Sequence, residues 1–418
     1  MKFTLIVFSI LVFIALSIFA FIHIKEEPIV IGLIHSKTGV MAKSEKSVLD
    51  VTLFSIEQIN RSGGLLGREI VAVVKDGKSS DDGYKEALQE LLHENITTIF
   101  GGWTSSSRKA MIPLLEKSNA LLFYPLQYEG FESSKNIIYL GLTPNQQIVP
   151  TINYATKNFG TDAFLIGNDY IFPRVANRFT KEIARYFSMN IVGEEYRLLS
   201  ERDFKDVAIN IKKSKPSFIL NTLNGDSNMA FFKALKDANI SIKDTPVFSL
   251  SLTQVEVKEI AKELGIEAIE GSYATWGYFD SLEGKKNEEL KKQFRKKFDN
   301  DIAITDPMHS AFLGVKLWAK SVDYMKKSDT SSVMNGIKGS SVDGNGDVMF
   351  VSEIDNHTWR SVRIAKVDDE AILEVVWDTE SIQEAKPFPR YIDSNEIKKY
   401  IGELYKKWGN NYEAKVQK

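Results

Sequence analysis

The chain of 418 residues contains no cysteine. This absence excludes disulfides, thiolate metal sites, cysteine nucleophiles and the attachment of a lipid to a mature N-terminal cysteine. The chain also lacks an excess of charge, because 53 Lys and Arg stand against 55 Asp and Glu and leave a formal net charge of -2. Without a basic excess or patch there is no electrostatic basis for a nucleic-acid partner.

The sequence also lacks the local signatures of common enzymes. Its five histidines are scattered, with no paired spacing that would place two metal ligands on one helix face. No G-x-S-x-G elbow, G-x-x-x-x-G-K-S/T loop or G-x-G-x-x-G fingerprint occurs. We therefore expect no metal site, no cofactor, no catalytic residue and no enzymatic activity. An amidase-type hydrolase is the third reading of this chain, and it lacks a convincing nucleophile with its base.

Residues 3–24 form the only long apolar stretch, with Lys2 before it and the charged residues 25–27 after it. Signal-peptide cores run about 7–15 residues, whereas membrane spans need roughly 17–25. The length favours an uncleaved anchor over a signal peptide cleaved after Ala20, so residues 1–25 are either one or the other. Lys2 would stay inside, which places the rest of the chain outside the cytoplasmic membrane.

Beyond this segment, predicted strands and helices alternate. Ile29–His35 is a short apolar strand, and Leu49, Leu53 and Ile56 follow with the spacing of one buried helix stripe. The same alternation starts again at Asp162–Gly167. The length exceeds what one hydrophobic core usually supports. We therefore expect an α/β fold with two doubly wound lobes of mainly parallel strands and a cleft between them.

The lobe boundaries follow from this rhythm. We expect residues 29–143 with about 280–345 in the first lobe and residues 144–279 with about 346–385 in the second. Residues 386–418 are expected to form a C-terminal tail. Segments that return to the first lobe after the second would create crossovers and a hinge.

Aromatic and neutral polar residues cluster just after the predicted strands. Ligands of open α/β sheets sit beyond the carboxyl ends of the strands, so these residues are candidates for a binding pocket. The candidates are Trp103, Thr104, Ser105, Tyr124, Gln127, Tyr170, Asp226, Ser251, Trp276 and Tyr278. Aromatic rings could sandwich a flat neutral ligand of amide character, while hydroxyls and a carboxylate fix its polar groups. The alternative is that individual aromatics belong to the core or the lobe packing. Arg108 is expected in an ion pair rather than on an uncharged ligand.

Several segments carry a family resemblance that covers about Ile29 to Trp377. They are GLIHSKTGVMA (32–42), INRSGGLLGREI (59–70), FGGWTSSSRKAMIP (100–113), LLFYPLQYEGFE (121–132), TPNQQ (143–147), GNDYIFPR (167–174), TLNGDSN (222–228), TWGYF (275–279) and DNHTW (355–359). The chain resembles the urea- and short-chain-amide-binding proteins of ABC transporters, in the branched-chain amino-acid-type (type I) periplasmic binding protein superfamily.

The resemblance implies two Rossmann-like lobes that are joined by three crossovers and close over a ligand by a hinge motion. It places Trp103, Ser105, Tyr124, Tyr170 and Tyr278 on positions of the ligand pocket. It also implies pocket positions for the remaining candidates, which are Thr104, Gln127, Asp226, Ser251 and Trp276. The segment SLSLTQVE (249–256) resembles the amide-responsive regulator branch instead. The choice among urea, formamide and acetamide therefore stays open.

Two functions remain on this basis. The leading hypothesis is a periplasmic protein, or one anchored to the outer face of the cytoplasmic membrane by residues 3–24, that captures urea or a short-chain aliphatic amide for an ABC permease. The alternative is a membrane-anchored sensor whose closed state signals to a histidine kinase or a chemoreceptor. Neither reading needs a nucleic-acid partner.

Overall fold

A computed structural model of the chain describes residues 27–298, 302–344 and 348–415. The apolar residues 3–24, and with them the predicted anchor or signal peptide, lie outside the described residues. Within the described ranges, no helix is both long enough and apolar enough to cross a membrane.

The first lobe is built on a parallel five-stranded sheet with the order β2-β1-β3-β4-β5. Its strands are β1 (Ile29–His35), β2 (Ile70–Asp76), β3 (Thr98–Gly101), β4 (Leu121–Tyr124) and β5 (Ile137–Tyr139). The connecting helices are α1 (Ala42–Arg61), α2 (Asp81–His93) and α3 (Ser105–Ser118). The predicted stripe packs inward on α1, with Leu49 and Ile56 in the core and Leu53 against it.

The second lobe has a seven-stranded sheet with the order β15-β14-β10-β9-β8-β6-β7. Its strands are β6 (Asp162–Asn168), β7 (Asn190–Arg197), β8 (Phe218–Thr222), β9 (Val247–Ser249), β10 (Tyr273–Trp276), β14 (Arg363–Val367) and β15 (Leu373–Asp378). Its helices are α4 (Pro144–Phe159), α5 (Ile171–Ala184), α6 (Lys205–Ser214), α7 (Asp226–Asp237) and α8 (Gln254–Leu264). Strands β14 and β15 run antiparallel at one edge, and the others pair in parallel. The expected two-lobed α/β fold is confirmed.

After β10 the chain returns to the first lobe. It forms α9 (Lys285–Lys297), α10 (Asp306–Met325), α11 (Thr330–Ile337) and a small antiparallel sheet of β11 (Ser341–Asp343), β12 (Val348–Val351) and β13 (Thr358–Trp359). Met349 and Val351 lie in the first-lobe core. The predicted boundary at about residue 346 is therefore wrong: residues 348–359 stay with the first lobe, because β12 pairs with β11 and buries its apolar side there. The last described helix, α12 (Ser394–Lys407), packs on the second lobe.

Three segments carry the described chain between the lobes before α12: residues 140–143, 277–284 and 360–362. Arg360 sits where they meet. Its guanidinium donates to the carbonyl of Leu140 at 3.3 Å and pairs with the Asp306 carboxylate at 2.7 Å. A Cβ at Gly277 would lie 2.8 Å from the guanidinium carbon, so the second crossover passes too close for any side chain. One buried ion pair thus lies where the crossovers meet, and the hinge that the sequence predicts at the crossovers stays a prediction.

Candidate functional site

Two neighbouring strands of the first lobe place the first part of the site. Trp103 follows β3 and Tyr124 ends β4, and both side chains are buried. The Tyr124 hydroxyl donates to the backbone carbonyl of Trp103 at 2.6 Å, which holds the two strand ends together. Thr104 caps α3, since its side-chain oxygen accepts from the backbone N–H of Ser107 at 3.2 Å. Trp103, Ser105 and Tyr124 therefore lie together, with Thr104 in a structural role between them.

A buried cluster of four charged side chains lies behind these residues. Arg108 contacts Glu129 at 3.2 Å and Glu132 at 2.7 Å, and Lys109 contacts the same two carboxylates at 3.3 and 2.6 Å. Burial raises the pKa of the Glu132 carboxyl, but the Arg108 and Lys109 charges outweigh it and hold that pKa at about 2. Two cations and two anions give the cluster no net charge. The predicted ion pairing of Arg108 is confirmed, within the first lobe.

Glu129 is the residue that the sequence-based interpretation missed. Its side chain is fully buried, and one carboxylate oxygen, Oε1, faces both Arg108 and Lys109. The other oxygen, Oε2, has no hydrogen-bond partner among the residues that the structure describes. A buried carboxylate oxygen without a partner is costly, and an N–H group of a ligand would satisfy it. The signal in the sequence was the motif LLFYPLQYEGFE, in which Glu129 follows the candidate Gln127 by two positions.

The second lobe contributes Tyr170, which lies between β6 and α5. Its side chain is 3% exposed, and its hydroxyl accepts a hydrogen bond from the Asn224 amide at 2.9 Å. Burial raises the pKa of Tyr170 well above its usual value, and nearby Tyr124 and Glu129 raise it further. Tyr170 therefore lies close enough to the first-lobe Tyr124 and Glu129 for their charges to act on its hydroxyl.

Gln127 and Ser251 join the two lobes directly. The Gln127 side-chain amide donates to the Leu250 carbonyl at 3.0 Å and to the Ser251 hydroxyl at 3.2 Å. Both side chains are buried, and the Gln127 Oε1 atom finds no partner within the described ranges. The two lobes are thus in direct contact through these two side chains.

The remaining candidates are engaged elsewhere. The Asp226 carboxylate is exposed and pairs with Arg202 at 3.0 Å. The Trp276 indole donates to the Leu252 carbonyl at 2.8 Å. The Tyr278 hydroxyl donates to Asn287 at 2.7 Å, and its ring stacks on His309 in the first lobe. The structure does not bring these three polar groups to the tyrosine pair, and their assignment to the ligand stays a prediction.

A cavity of about 510 Å³ lies between α1 of the first lobe and α7 and α8 of the second. Trp103 lies on its wall, and Asp226 lines its second-lobe side. An ion pair between Lys43 and Glu259 spans its rim. This volume is within the range of small-molecule sites. No group of three or more His, Asp or Glu side chains suited to a metal ion occurs in the described parts of the chain.

Residues 29–394 match the periplasmic binding protein domain family. The chain belongs to this family. The match covers both lobes and ends at the start of α12, and it confirms the expected superfamily and solute-binding fold. The two-lobed α/β fold of this chain is therefore the fold of its family.

One solved structure and two curated proteins illustrate what this chain is similar to. A solute-binding protein of an ABC transporter from Rhodopseudomonas palustris, in complex with p-hydroxybenzoic acid, superposes with a TM-score of 0.77 at 20% identity and covers 86% of this chain and 98% of that chain. The Leu/Ile/Val-binding protein BraC3 of Rhizobium johnstonii is 25% identical over 158 residues, which are 36% of this chain and 42% of the relative. Limonene hydroxylase of Geobacillus stearothermophilus is 24% identical over 146 residues, or 34% and 26%. The chain thus spans less than half the length of the curated relatives that it matches.

Proposed function

We propose that this periplasmic binding protein captures urea or a short-chain aliphatic amide between its lobes and delivers it to an ABC permease, without bond chemistry. The observation that carries the proposal is the free Oε2 atom of Glu129, which is buried in a cluster of no net charge, and Glu129 acts on the pKa values of Tyr124 and Tyr170. An amide N–H is the group that such an oxygen accepts.

The hydroxyl of Tyr170 supplies the complementary donor. It accepts from Asn224, and its own proton remains available to a ligand carbonyl. Tyr124, by contrast, already donates to Trp103. One acceptor from the first lobe and one donor from the second match the N–H and C=O groups of an amide. The rings of Trp103, Tyr124 and Tyr170 would cover its flat faces.

The charges also disfavour a carboxylate ligand. An anionic ligand needs an unneutralised cation, yet Arg108 and Lys109 already face Glu129 and Glu132. A ligand carboxylate placed beside Glu129 would add a third buried anion to two buried cations, which is unfavourable in a site of low dielectric constant. A neutral ligand leaves the balance unchanged.

Ligand contacts from both lobes would couple binding to closure. A ligand shifts an open–closed equilibrium only by its different affinities for the two forms. Glu129 lies in the first lobe and Tyr170 in the second, so a ligand that bridges them binds the closed form better. The permease would then recognise the closed, loaded protein. The cavity between α1, α7 and α8 serves as the access route to Trp103.

Calorimetric titration of the purified protein tests the proposal. We expect saturable one-to-one binding of at least one of urea, formamide and acetamide. 4-Hydroxybenzoate is the comparison, because it is the deprotonated form of the p-hydroxybenzoic acid found in the Rhodopseudomonas palustris relative. Binding of 4-hydroxybenzoate together with silence of the three neutral compounds would overturn the assignment of the ligand.

The apolar residues 3–24 favour a second function for the same closed state. A protein held at the outer face of the membrane could present its closed form to a histidine kinase or a chemoreceptor instead of a permease. The two functions separate in cells: ligand uptake that depends on the protein supports transport, and ligand-dependent kinase phosphorylation without uptake supports sensing.

A further inference from the structure

The C-terminal residues beyond the family match form a structure of their own. Helix α12 begins where the match ends, and its Ile397 and Leu404, with the following Trp408, are buried in the second-lobe core beside Tyr170 and Phe179. Helix α12 is therefore packed firmly on the second lobe. The chain then turns at Gly409 and Asn410, which both adopt positive φ, of 68° and 63°.

Residues 410–415, which we call the strap, next run along the second-lobe loop that carries Tyr170. The backbone N–H of Ile171 donates to the Tyr412 carbonyl, and that of Ala414 donates to the Asp169 carbonyl, both at 2.9 Å. Tyr170 and Glu413 are partners in an antiparallel bridge between these two bonds. The strap thus fixes the backbone of Tyr170 from its outer side.

The same six residues reach the first lobe at the start of α2. The backbone N–H of Tyr412 lies 3.5 Å from the Asp81 carboxylate, and the Lys415 ammonium lies 3.7 Å from that of Asp82. Asp81 is buried, and its Oδ1 atom has no hydrogen-bond partner among the described residues. The strap is therefore linked to the Tyr170 loop of the second lobe and to the start of α2 in the first lobe.

We propose that the strap latches the two lobes in the closed form and holds Tyr170 against the first-lobe side of the site. Hinge opening separates Tyr170 from α2, so it must break one of the two sets of contacts. Tyr412, Glu413 and Ala414 are positioning residues in this arrangement. The latch itself stands on the geometry alone, whereas its effect on ligand affinity rests on the proposed function.

The titratable groups around Glu413 add a pH dependence to the latch. Burial raises the pKa of the Glu413 carboxyl to about 8, and the Asp81 and Asp82 charges raise it further, while Lys415 opposes them. Burial also raises the pKa of Asp81. A carboxyl whose pKa is raised in the closed form favours that form fully below its ordinary pKa of 4.5, and this contribution is lost as the pH rises from 4.5 to about 8. The latch should therefore loosen over that range of pH.

The test measures the distance between the lobes without any ligand. The chain has no cysteine, so Lys262→Cys on α8 and Lys292→Cys on α9, both exposed positions, provide the only attachment sites for two spin labels. Pulsed electron paramagnetic resonance is recorded on the full-length chain, on a chain that ends at Gly409 and on a control that ends at Lys415. We expect a longer-distance population in the Gly409 chain, and the full-length distribution in the control.

Identical distributions in all three chains would overturn the latch. If the Gly409 chain fails to fold, Ala414→Pro replaces it, because proline removes the N–H that donates to Asp169. Ala414→Gly keeps that N–H and is its control. Between pH 5 and 8 we expect the full-length chain to open more than Glu413→Gln, and equal opening of both would overturn the role of Glu413.

Measurement of ligand binding to the full-length and Gly409 chains distinguishes a failure of the latch from a failure of the proposed function. Whichever of urea, formamide and acetamide binds the full-length chain should bind the Gly409 chain more weakly, in proportion to the smaller closed population. If none of the three binds the full-length chain, the proposed ligand is wrong, and the ligand-free distances still decide the latch.

Discussion

Replacement of Glu129 by glutamine is the sharpest test of the ligand site. Glu129→Gln keeps the size of the side chain but removes the negative charge and half of its capacity to accept hydrogen bonds. A hydrogen bond to a charged group contributes about 1.5–3 kcal/mol, so affinity for the bound amide should fall roughly 10- to 150-fold. The loss should appear in calorimetry as a larger Kd with unchanged stoichiometry.

Glu132→Gln is the control because it changes the charge of the same cluster by the same amount. Both Glu132 oxygens are occupied, Oε1 by Arg108 and Tyr139 and Oε2 by Lys109. They therefore offer nothing to a ligand, in contrast to the free oxygen of Glu129. We expect Glu132→Gln to lower thermal stability but to weaken binding much less than Glu129→Gln.

Two results would refute this reasoning. Equal weakening by both variants would mean that the net charge of the cluster, rather than one oxygen atom, controls affinity. An unchanged Kd in Glu129→Gln would remove the carboxylate from the site. A useful further readout is 4-hydroxybenzoate, since Glu129→Gln leaves Arg108 and Lys109 with one anion and should allow weak binding of a carboxylate.

Three further predictions concern other parts of the site and its frame. Tyr170→Phe keeps the ring but removes the proton offered to the ligand and the partner of Asn224, so calorimetry should show roughly 2- to 10-fold weaker binding; an unchanged Kd would exclude the hydroxyl. Because the pKa of Glu132 is held at about 2, its ionised carboxylate stabilises the fold fully above pH 4.5, and this contribution should disappear as the pH falls towards 2. In Glu132→Gln the Tm should depend less on pH between 4.5 and 2. An unaltered dependence of Tm on pH in this range would contradict the assignment. Arg360→Met leaves Asp306 buried without its partner and should lower the free energy of unfolding, measured in guanidinium chloride, by about 3–5 kcal/mol. The double variant Arg360→Met, Asp306→Leu should recover much of this loss. A single variant as stable as the parent would show that the pair is dispensable.

Much of the fold could be predicted because hydrophobic periodicity reports burial directly. The spacing of Leu49, Leu53 and Ile56 marks one face of α1, and the apolar run of Ile29–His35 marks a strand covered on both faces. Parallel strands place their carboxyl ends on one edge of the sheet, so Trp103 and Tyr124 were expected to meet. These inferences depend on local pattern and on the handedness of the chain, and both are present in the sequence.

The distribution of charge inside the site could not be predicted in the same way. The sequence favoured Asp226 as the carboxylate for the ligand, but α7 presents it to solvent, where it pairs with Arg202. Glu129 was passed over because a loop glutamate is ordinarily exposed. Its burial depends on Arg108 and Lys109, about 20 positions earlier on α3, and only the folded arrangement of α3 against the loop after β4 shows that pairing.

The contacts of the C-terminal strap could not be predicted from the sequence for a different reason. The strap carries little hydrophobic periodicity, and its contacts with Asp169 and Ile171 are made by backbone groups, which leave no trace in side-chain pattern. Its value to the fold comes from reaching both lobes at once. Such a role depends on the position of α12, which the buried Trp408 and Leu404 determine.

The comparison with the relative in complex with p-hydroxybenzoic acid suggests where specificity arises in this fold. Two chains with a TM-score of 0.77 share the fold, but 20% identity leaves the residues between the lobes free to differ. In this chain the buried cations Arg108 and Lys109 are neutralised by two carboxylates of the protein, those of Glu129 and Glu132. Under the proposed function, a ligand gains little by bringing a negative charge and gains most by offering N–H groups to the free oxygen of Glu129. Discrimination between anionic and neutral solutes would then follow from one glutamate in the loop after β4 rather than from the shape of the cleft.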